Sequence, residues 1–328
     1  MRQMTIKIEK WELKRPFIIS RMEPMLHGEV IVVEISQNGI SGRGECERVD
    51  VFEPEYPSVA KQIEEYIDIV EQGVTREDLL RIMPSGHARN AIDCALFDLE
   101  TKKKEIPAWK LAGLDQAPEA VTTMYTLPLS DSCIMAEMAD QNSHRPILKL
   151  KLGRGNDIER VTAVRNAAPH SRLIVDANTS WTLDQLLEYL PKLVDLGVEL
   201  IEQPLPPEQD HLLDGVNSAI PIAADESCLD RTSLANLVGR YQVVNVKLDK
   251  TGGITEALAL TREAKKLGFD IMVGCMIGTS LAIAPALLLA QMARWIDLDS
   301  PLLLTKDRNH GLVYKDSLIS PSSPALWG

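Results

Sequence analysis

Short apolar segments in the second half of the chain end, one after another, in a polar or charged residue. The intervals between successive end residues run from 22 to 28 positions. These end residues are Lys151, Asp176, Glu202, Asp225, Lys247, Cys275 and Asp297. A repeat of about 25 residues is the length of one strand, one helix and their connections, which is the unit of a (β/α) barrel.

Eight apolar segments have the length of a strand, and amphipathic segments lie between them. The predicted strands are 121–127, 147–152, 173–176, 200–202, 222–225, 243–247, 271–274 and 295–297. We expect an amphipathic helix after each, most clearly over 158–167, 183–196 and 255–267. A doubly wound open sheet gives a similar alternation, but it does not need a charged residue at the end of so many consecutive strands. The pattern therefore favours a barrel, whose catalytic groups lie at the carboxyl ends of its strands.

In the first part of the chain, strands come first and helices follow. Residues 1–46 read as antiparallel strands with a hairpin turn at Asn38-Gly39. Residues 58–113 have helical spacing, most clearly over 88–102. Polar, proline-containing loops lie near 19–27 and 46–57. This order of elements is typical of an α+β domain.

The composition excludes several classes of partner. The net charge of −12 argues against a nucleic-acid partner, which needs a basic face. The N-terminus lacks the apolar core of a signal peptide, and the longest apolar stretch, 280–293, is too short to span a membrane. The five cysteines have no metal or redox spacing and fit a reducing compartment. We therefore expect a cytoplasmic protein with neither membrane nor nucleic-acid partners.

Three acidic residues, Asp176, Glu202 and Asp225, end three consecutive predicted strands. Neighbouring strands lie about 4.8 Å apart, so the three carboxylates are expected to converge. Three close anions need a cation, and a site made only of carboxylates selects Mg²⁺ or Mn²⁺ over zinc. A helix-capping or ion-pairing role explains any one of these acids, but less readily all three. The sequence therefore predicts one Mg²⁺ ion per subunit, with Mn²⁺ as the other candidate.

Lysines flank the predicted metal ligands. Lys149 and Lys151 lie on one face of the preceding strand, and Lys247 ends the strand that follows. This arrangement suits removal of a proton from a carbon next to a carboxylate, with the metal stabilising the enediolate charge. A lysine pKa of about 10.4 would have to fall to about 7–8, through burial and neighbouring cations, for the residue to act as a base. We assign Lys151 and Lys247 as the acid/base pair and Lys149 as the neighbour that tunes Lys151.

Asp297 and Asp299 end the last predicted strand and have the spacing of residues on one side. They are not needed for the metal, and a paired anion in the site calls for a cation on the substrate, such as an α-ammonium group. Capping or loop positions are the competing interpretation, because Asp-x-Asp alone is a weak motif.

Together these residues resemble the enolase superfamily, in particular its muconate-lactonizing-enzyme subgroup. The matching motifs are Lys149-x-Lys151, Asp176-Ala-Asn178, Glu202-Gln203-Pro204, Ala224-Asp225-Glu226-Ser227, the stretch from Asn245 to Gly253, and the first-domain stretch from Ala88 to Leu99. Within the subgroup, Gly274-Cys275-Met276 and Asp297-x-Asp299 look like dipeptide epimerases of the L-Ala-D/L-Glu type, which act in murein-peptide metabolism.

The resemblance implies a fold and a set of roles. The fold is a (β/α)₇β modified TIM barrel (116–300) with an α+β capping domain (1–115), completed by the C-terminal tail (301–328). Asp176, Glu202 and Asp225 would bind Mg²⁺, and Lys151 and Lys247 would exchange the α-proton of the C-terminal residue. The Asp pair would hold the dipeptide's ammonium group. Residues expected to line the substrate site are Asp297, Asp299, Cys275, Met276, Arg21 and Pro24.

One position departs from the family pattern. Some Ala-Glu epimerases have an arginine in the first capping loop that meets the glutamate side chain, and local alignment puts Pro24 there, with Arg21 close by. The second loop is acidic and contains Glu47, Asp50, Glu53 and Glu55. An anionic loop repels glutamate and attracts a basic side chain, so we expect that a hydrophobic or cationic residue could replace Glu. Solvated surface acids are the competing interpretation.

Other reactions of the subgroup remain open. N-acylamino-acid racemisation, or a lyase reaction of the o-succinylbenzoate synthase or muconate cycloisomerase type, shares the same first step. Their substrates lack a free α-ammonium group, so the Asp pair argues against them. A barrel that binds a metal and a small acid without turnover is disfavoured by the intact lysines. The sequence leaves both a monomer and a homo-oligomer open.

Overall fold

The computed structural model of the protein describes residues 2–20, 23–51 and 55–328. The chain begins with an antiparallel sheet of three strands in sequence order. These strands are β1 (Arg2–Phe17), β2 (Met25–Gln37) and β3 (Ile40–Glu47). Asn38 and Gly39 have φ angles of 55° and 80°, and they join the paired residues Gln37 and Ile40. Left-handed conformations at both positions are those of a type I′ hairpin turn, which confirms the turn predicted from Asn-Gly.

Helices follow the sheet. They are α1 (Val59–Glu64), α2 (Ile67–Glu71), α3 (Arg76–Ile82), α4 (His87–Lys104) and α5 (Ala108–Leu111). Helix α4 packs directly on β3: a Cβ atom added at Gly44 would lie 2.1 Å from the carbonyl oxygen of Ala91. Only glycine allows this close approach of strand and helix. The buried face of α4 is therefore pressed against the sheet, while its first turns point toward the second half of the chain.

The second half forms a parallel sheet of eight strands in sequence order, as the strand repeat predicted. The strands are β5 (Tyr125–Leu127), β6 (Ile147–Lys151), β7 (Arg172–Asp176), β8 (Val198–Glu202), β9 (Ile222–Ala224), β10 (Val243–Lys247), β11 (Asp270–Gly274) and β12 (Trp295–Asp297). Between the first and last strands, the amide of Met124 donates to the carbonyl of Ile296 (2.8 Å). The sheet thus closes almost completely into a barrel.

The prediction of one strand over 121–127 is wrong in detail. Val121–Thr122 is a separate strand, β4, which pairs with a strand of the C-terminal tail outside the barrel. The barrel strand starts only at Tyr125, because Thr123 instead bonds through its hydroxyl to the backbone after β12: Leu298 N donates to Thr123 Oγ1 (2.8 Å). Two elements with different partners share one apolar run.

The connections between the strands are less regular than the repeat suggested. The α-helices are α6 (Ser132–Gln141), α7 (Asp157–Ala167), α8 (Leu183–Asp195), α9 (Leu234–Leu237), α10 (Leu248–Thr251), α11 (Ile254–Lys266), α12 (Ser280–Ala290) and α13 (Ser300–Leu303). The connection from β8 to β9 is instead a 3₁₀ helix, Pro207–Leu213, and that from β9 to β10 combines the 3₁₀ turn Arg231–Ser233 with the short α9. The expectation of an amphipathic helix after every strand was therefore wrong. Prolines at 204, 206 and 207 limit helix formation after β8.

Inside the barrel, seven of the strands and the residue directly before β5 each contribute one side chain to a buried apolar cluster. Its members are Met124, Ile147, Ile174, Leu200, Ala223, Val243, Met272 and Trp295. This cluster fills the lower interior of the barrel, as expected for a packed barrel core. It also fixes which residues face inward further along each strand, because side chains two positions apart share a face.

The C-terminal tail contacts both parts of the molecule. Its hairpin, β13 (Tyr314–Lys315) and β14 (Leu318–Ile319), pairs with β4. Arg308 forms ion pairs with Glu9 (2.7 Å) and Glu45 (2.6 Å) of the N-terminal sheet. At the chain end, Trp327 stacks on Phe97 of α4 with ring centroids 5.5 Å apart. The tail thus ties the N-terminal domain to the barrel.

Among residues 2–20, 23–51 and 55–328, no helix combines the length and apolar character needed to cross a membrane.

Candidate active site

Polar side chains occupy the level of the barrel interior directly above the apolar cluster. Each lies two positions further along its strand than a cluster residue and so faces the same interior. They are Thr126, Lys149, Asp176, Glu202, Asp225, Asn245 and Asp297, and the eighth position of this level is Gly274, which has no side chain. Lys151 and Lys247 follow two positions further on again. The predicted catalytic and metal-binding residues are therefore brought together at the carboxyl end of the barrel, where barrel enzymes carry their active sites.

Lys149 lies at the centre of this level and is almost fully buried. Its Nζ is 2.6 Å from Asp297 Oδ2, 2.7 Å from Glu202 Oε2 and 3.1 Å from Asp176 Oδ2. The contact with Glu202 is close but not aligned for a hydrogen bond. Burial acts to lower the pKa of Lys149, but the charges of Asp297, Glu202 and Asp176 outweigh it and raise that pKa well above its usual value. Lys149 is thus the permanent counter-ion of three buried carboxylates.

Lys151 and Lys247 are held by different carboxylates. Lys151 Nζ donates to Asp176 Oδ2 (2.6 Å), and Lys247 Nζ donates to Asp225 Oδ2 (2.7 Å). Their strands, β6 and β10, are four apart in a barrel of eight, so the two ammonium groups reach the interior from opposite sides. Gly274 makes room for Lys247, because a Cβ atom there would lie 3.0 Å from Lys247 Cε.

The protein groups by themselves shift the pKa of Lys247 in the direction opposite to the one a base requires, so the predicted fall depends on a metal cation. Burial acts to lower the pKa of Lys247, but Asp225 and Glu202 reverse the effect and raise it. For its part, Asp225 would have a raised pKa through burial, but Lys247 and Lys250 hold that pKa well below the usual value. A lysine paired this tightly with a carboxylate is a poor base until another cation takes over the carboxylate.

The three predicted metal ligands fit a divalent cation by their chemistry and charge. All are buried carboxylates at the ends of successive strands. Burial and the charge of Asp176 raise the pKa of Glu202 to about 8, so the neighbouring lysines do not fully compensate its charge. At Asp176, burial likewise acts to raise the pKa, but the charges of Lys151 and Lys149 outweigh it and lower the pKa to about 2. Hard oxygen donors with unbalanced negative charge are the ligands that Mg²⁺ prefers.

The side chains are not arranged as a finished metal site. In the part of the chain that the structure describes, no group of three His, Cys, Asp or Glu residues is placed to hold a metal ion. Asp176 and Glu202 share Lys149, whereas Asp225 turns to Lys247 and Lys250. The ammonium groups thus lie where a cation held by all three carboxylates would compete with them.

Asp297 and Asp299 differ in environment. Asp297 contacts Lys149, while Asp299 lies above it and accepts a hydrogen bond from the backbone amide of Thr126 (2.6 Å). Burial and the charge of Asp297 raise the pKa of Asp299 to about 7. Both residues line the cleft over the barrel. The second member of the pair is therefore the less compensated anion.

The cleft lies between the barrel mouth and the N-terminal domain. Cys275 and Met276 line it as predicted positions, and so does Glu47, which is the last residue of β3 and not part of the loop predicted to start at 46. Pro24 is exposed, and Arg21 lies outside the described residues. The other apolar residues of the cleft wall are Phe17, Ile19, Met25, Val49, Ile277 and Leu303.

The acids of the second loop do not act together. Asp50 pairs with Arg48 (3.6 Å) and accepts from the amide of Val59 (3.3 Å), and Glu55 is exposed. Glu53 lies outside the described residues. Of the acids Glu47, Asp50 and Glu55, which the structure describes, Glu47 alone lines the cleft.

Two residues of the site had no role in the sequence analysis. Asn245 Nδ2 donates to Glu202 Oε1 (2.7 Å), and Lys250 Nζ donates to Asp225 Oδ1 (2.5 Å) and to the carbonyl of Asn245 (2.9 Å). Asn245 precedes Lys247 by two positions, as Lys149 precedes Lys151. That spacing could have identified Asn245. No comparable signal predicts Lys250, which lies on the helix after the strand.

Comparison with known families and proteins gives a consistent match. Residues 1–113 match the mandelate racemase/muconate lactonizing enzyme N-terminal domain, and residues 135–321 match the enolase C-terminal domain-like family. The chain is 43 % identical to the L-Ala-D/L-Glu epimerase of Escherichia coli, over 94 % of this chain and 96 % of that protein. It is also 43 % identical to an N-acetyl-D-glutamate racemase of Pseudoalteromonas sp, over 91 % of this chain and 95 % of that protein.

Solved structures agree. An enolase family member from Agrobacterium tumefaciens with homology to dipeptide epimerases, solved with sodium and L-Ala-L-Glu, has a TM-score of 0.96 at 44 % identity, with 100 % of both chains covered. A dipeptide epimerase from Enterococcus faecalis, solved with Mg and L-Leu-L-Tyr, has a TM-score of 0.90 at 29 % identity, covering 98 % of this chain and 96 % of that one.

Proposed function

Because the chain belongs to the mandelate racemase/muconate lactonizing enzyme family of the enolase superfamily, we propose that it is a Mg²⁺-dependent dipeptide epimerase. Its matched relatives are racemases and epimerases, and the chain is accordingly an isomerase. The proposed reaction inverts the α-carbon of the C-terminal residue of a dipeptide by moving one proton from one face to the other.

The observation that carries the proposal is the position of Lys151 and Lys247. They come from strands four apart in the barrel and line the same cleft. A substrate between them presents its two faces to two different ammonium groups. One lysine, in its neutral form, takes the α-proton, and the other, protonated, delivers a proton to the opposite face. After one turnover the protonation states of the two lysines are exchanged, so the reverse reaction starts from the opposite epimer.

Asp176, Glu202 and Asp225 are the residues that would hold Mg²⁺. The ion would neutralise the substrate carboxylate and the negative charge that grows next to the α-carbon. Asn245 supports this set by fixing one oxygen of Glu202. Lys149 contacts Asp176, Glu202 and Asp297 and partly compensates the buried negative charge, and the cation would supply the rest.

Asp299 is proposed to bind the α-ammonium group of the dipeptide, with Asp297 beneath it. Its raised pKa is that of an anion that lacks a full counter-charge, and an ammonium group supplies one. The Agrobacterium and Enterococcus structures were solved with dipeptides, which supports this class of substrate.

The accepted C-terminal side chain is the part of the proposal for which relatives and cleft point in different directions. The Escherichia coli relative is named for Glu. In the described part of this cleft, however, the four cations are lysines already in contact with carboxylates, and much of the remaining wall is apolar. We propose that an apolar side chain is accepted at least as well as Glu, with a cationic one favoured only if Glu47 faces it.

N-acylamino-acid racemisation is the second candidate, and the Pseudoalteromonas relative favours it. Both reactions use the same lysines and the same metal ligands. They differ in whether the substrate nitrogen carries a charge that Asp299 could meet.

The test is a library of L-Xaa-L-Xaa dipeptides and matched N-acetylamino acids, incubated with the enzyme and Mg²⁺ in D₂O and analysed by mass. We expect deuterium at the C-terminal α-carbon of dipeptides, with the apolar side chains exchanging at least as fast as Glu. Exchange of N-acetylamino acids alone would replace the main proposal by the second candidate. If neither class exchanges, both are wrong.

A further inference from the structure

A loop of the barrel, next to strand β6, donates hydrogen bonds to the first capping loop. The loop runs from Gly153 to Asn156, directly after β6 with its Lys149 and Lys151. At its tip, Arg154 is exposed, yet its guanidinium does not extend into solvent alone. Arg154 Nε donates to the carbonyl of Ser20 (3.1 Å), and Arg154 Nη2 donates to the carbonyl of Ile19 (3.4 Å). Both acceptors belong to the backbone of the capping loop.

The barrel loop is built to hold this arginine in place. Arg154 has a φ of 63°, a left-handed conformation that costs free energy for a residue with a long side chain. Around it, the amide of Gly153 donates to Asp157 Oδ1 (2.9 Å), and Arg160 donates to the carbonyl of Gly153 (3.1 Å). Asp157 in turn accepts a hydrogen bond from the indole of Trp181 (2.7 Å). Buried partners on both sides of Arg154 keep it in this strained conformation, which indicates that the conformation has a function.

The capping loop approaches the barrel so closely at this point that no side chain fits between them. A Cβ atom at Gly153 would lie 2.6 Å from Ser20 Cβ and 2.6 Å from Ser180 Oγ. Immediately before Ser20, Ile19 is buried and forms part of the cleft wall. The hydrogen bonds from Arg154 to the carbonyls of Ile19 and Ser20 therefore fix one wall of the cleft relative to the strand that carries Lys151.

We propose that Arg154 is a positioning residue for substrate binding: its guanidinium holds the backbone of Ile19 and Ser20 so that Ile19 closes the cleft over the substrate. The inference rests on the proposed function, because it assigns the cleft wall to a dipeptide. Arg154 touches no reacting atom in this scheme, so its loss changes binding more than chemistry.

The variant Arg154→Asn tests the proposal. Asparagine tolerates the left-handed conformation, so the barrel loop keeps its shape while the reach to the capping loop is lost. We expect KM for the best dipeptide to rise about tenfold, as for the loss of hydrogen bonds from a charged donor, with kcat within about twofold of wild type. The melting temperature should stay the same or rise, because strain is relieved. Arg154→Lys keeps the charge but not the fork of donors and should recover only part of the affinity.

Hydrogen–deuterium exchange gives a readout that does not depend on the substrate. Peptides ending at Ser20 should exchange faster in Arg154→Asn than in wild type, without a change elsewhere in the barrel. The control is Arg172→Asn, an exposed arginine at the start of β7 that pairs with Glu199 (2.7 Å) far from the cleft, and it should change neither KM nor exchange near Ser20.

An unchanged KM together with unchanged exchange near Ser20 would overturn the proposal. So would a fall in kcat at constant KM, which would assign Arg154 to the chemistry. If the wild-type enzyme exchanges no dipeptide α-proton, the proposed function fails, while faster exchange near Ser20 in Arg154→Asn still supports the role of Arg154 in holding the capping loop.

Discussion

The barrel mouth and the first turns of α4 both bury charged side chains, but the partners of those charges differ. At the mouth, Lys149 and Lys247 contact Asp297 and Asp225, which line the cleft, and Lys151 lines the cleft itself while it contacts the buried Asp176. On α4, a docking face made of Arg89, Asn90 and Asp93 binds mainly backbone groups. Arg89 donates to the carbonyls of Met83, Thr251 and Gly252, and Asp93 accepts from the amide of Thr255.

This difference shows that a buried charge can have either a structural role or a ligand-binding role. A buried charge that binds backbone carbonyl or amide groups attaches one part of the fold to another. Here it attaches α4 to the helices that follow Lys247. A charge whose partners are other charges around an open cleft is available to a ligand, because a ligand or ion can replace a partner. Burial alone does not separate the two cases, and both stretches matched the same family in the sequence.

The largest effect is expected for the lysine pair. Lys151→Ala and Lys247→Ala should each lower epimerisation by about 10³-fold or more, since each removes one of the two proton-transfer groups. The measurement is the rate of epimer formation, followed by chiral chromatography. Full activity in either variant would refute the assignment of two bases.

The matched experiment on the docking face uses Arg89→Ala. Three carbonyls lose a charged donor, so stability should fall by about 3 kcal/mol or more. The rate per folded molecule should remain near that of wild type, measured below the unfolding transition. A variant of Arg89 that keeps its stability but loses turnover would remove the distinction between the two regions.

Removal of a metal ligand should give the next largest effect. Glu202→Gln should weaken Mg²⁺ binding by about 100-fold, because one charged oxygen donor is lost while the shape is kept. Isothermal titration with Mg²⁺ measures this directly, without turnover. Asn245→Ala, which removes only the amide that orients Glu202, should weaken binding less; a larger loss than for Glu202→Gln would contradict the ligand assignment.

The Asp pair should separate substrate charge from metal binding. Asp299→Asn is expected to raise KM for dipeptides by about 30-fold and to leave KM for N-acetylamino acids almost unchanged, because only the former carry an ammonium group. Asp297→Asn should likewise weaken dipeptide binding more than Mg²⁺ affinity. Equal losses of both affinities in Asp297→Asn would remove the ammonium role and leave Asp297 as a partner of Lys149 alone.

The smallest effect concerns the pH dependence of the docking face. Burial raises the pKa of Asp93 from 3.8 to about 6 in the folded protein. The folded state therefore binds more protons than the unfolded state between these values, and stability falls as the pH rises through that window. Above it, the cost is constant and amounts to at most about 3 kcal/mol.

Asp93→Asn should remove this dependence. Its free energy of unfolding relative to wild type should become more favourable as the pH rises from about 4 to about 6.5 and then stay level. Urea unfolding at closely spaced pH values measures the difference. A relative stability that does not change with pH in this range would show that the charge of Asp93 is already compensated by Arg89 and Arg76.

Much of the barrel and its site could be predicted because strands repeat with a period of two. Once Lys149 and Lys151 are placed inward, the same period places Asp176, Glu202 and Asp225 at one end of neighbouring strands. The run over 121–127 was misassigned because periodicity does not reveal that half of it pairs with the tail. The prediction of an α-helix between β8 and β9 was wrong because three prolines in that connection limit helix formation.

The sequence by itself determined which residues face the barrel interior and that acidic and basic groups meet at its carboxyl end, since alternation and strand order are local properties. Only the tertiary structure decided which charge pairs with which. Lys149 joins Asp297 across 148 positions, and Arg154 reaches Ser20 across 134. Such contacts depend on how the barrel closes and how the first domain lies over it, and no spacing along the chain specifies either.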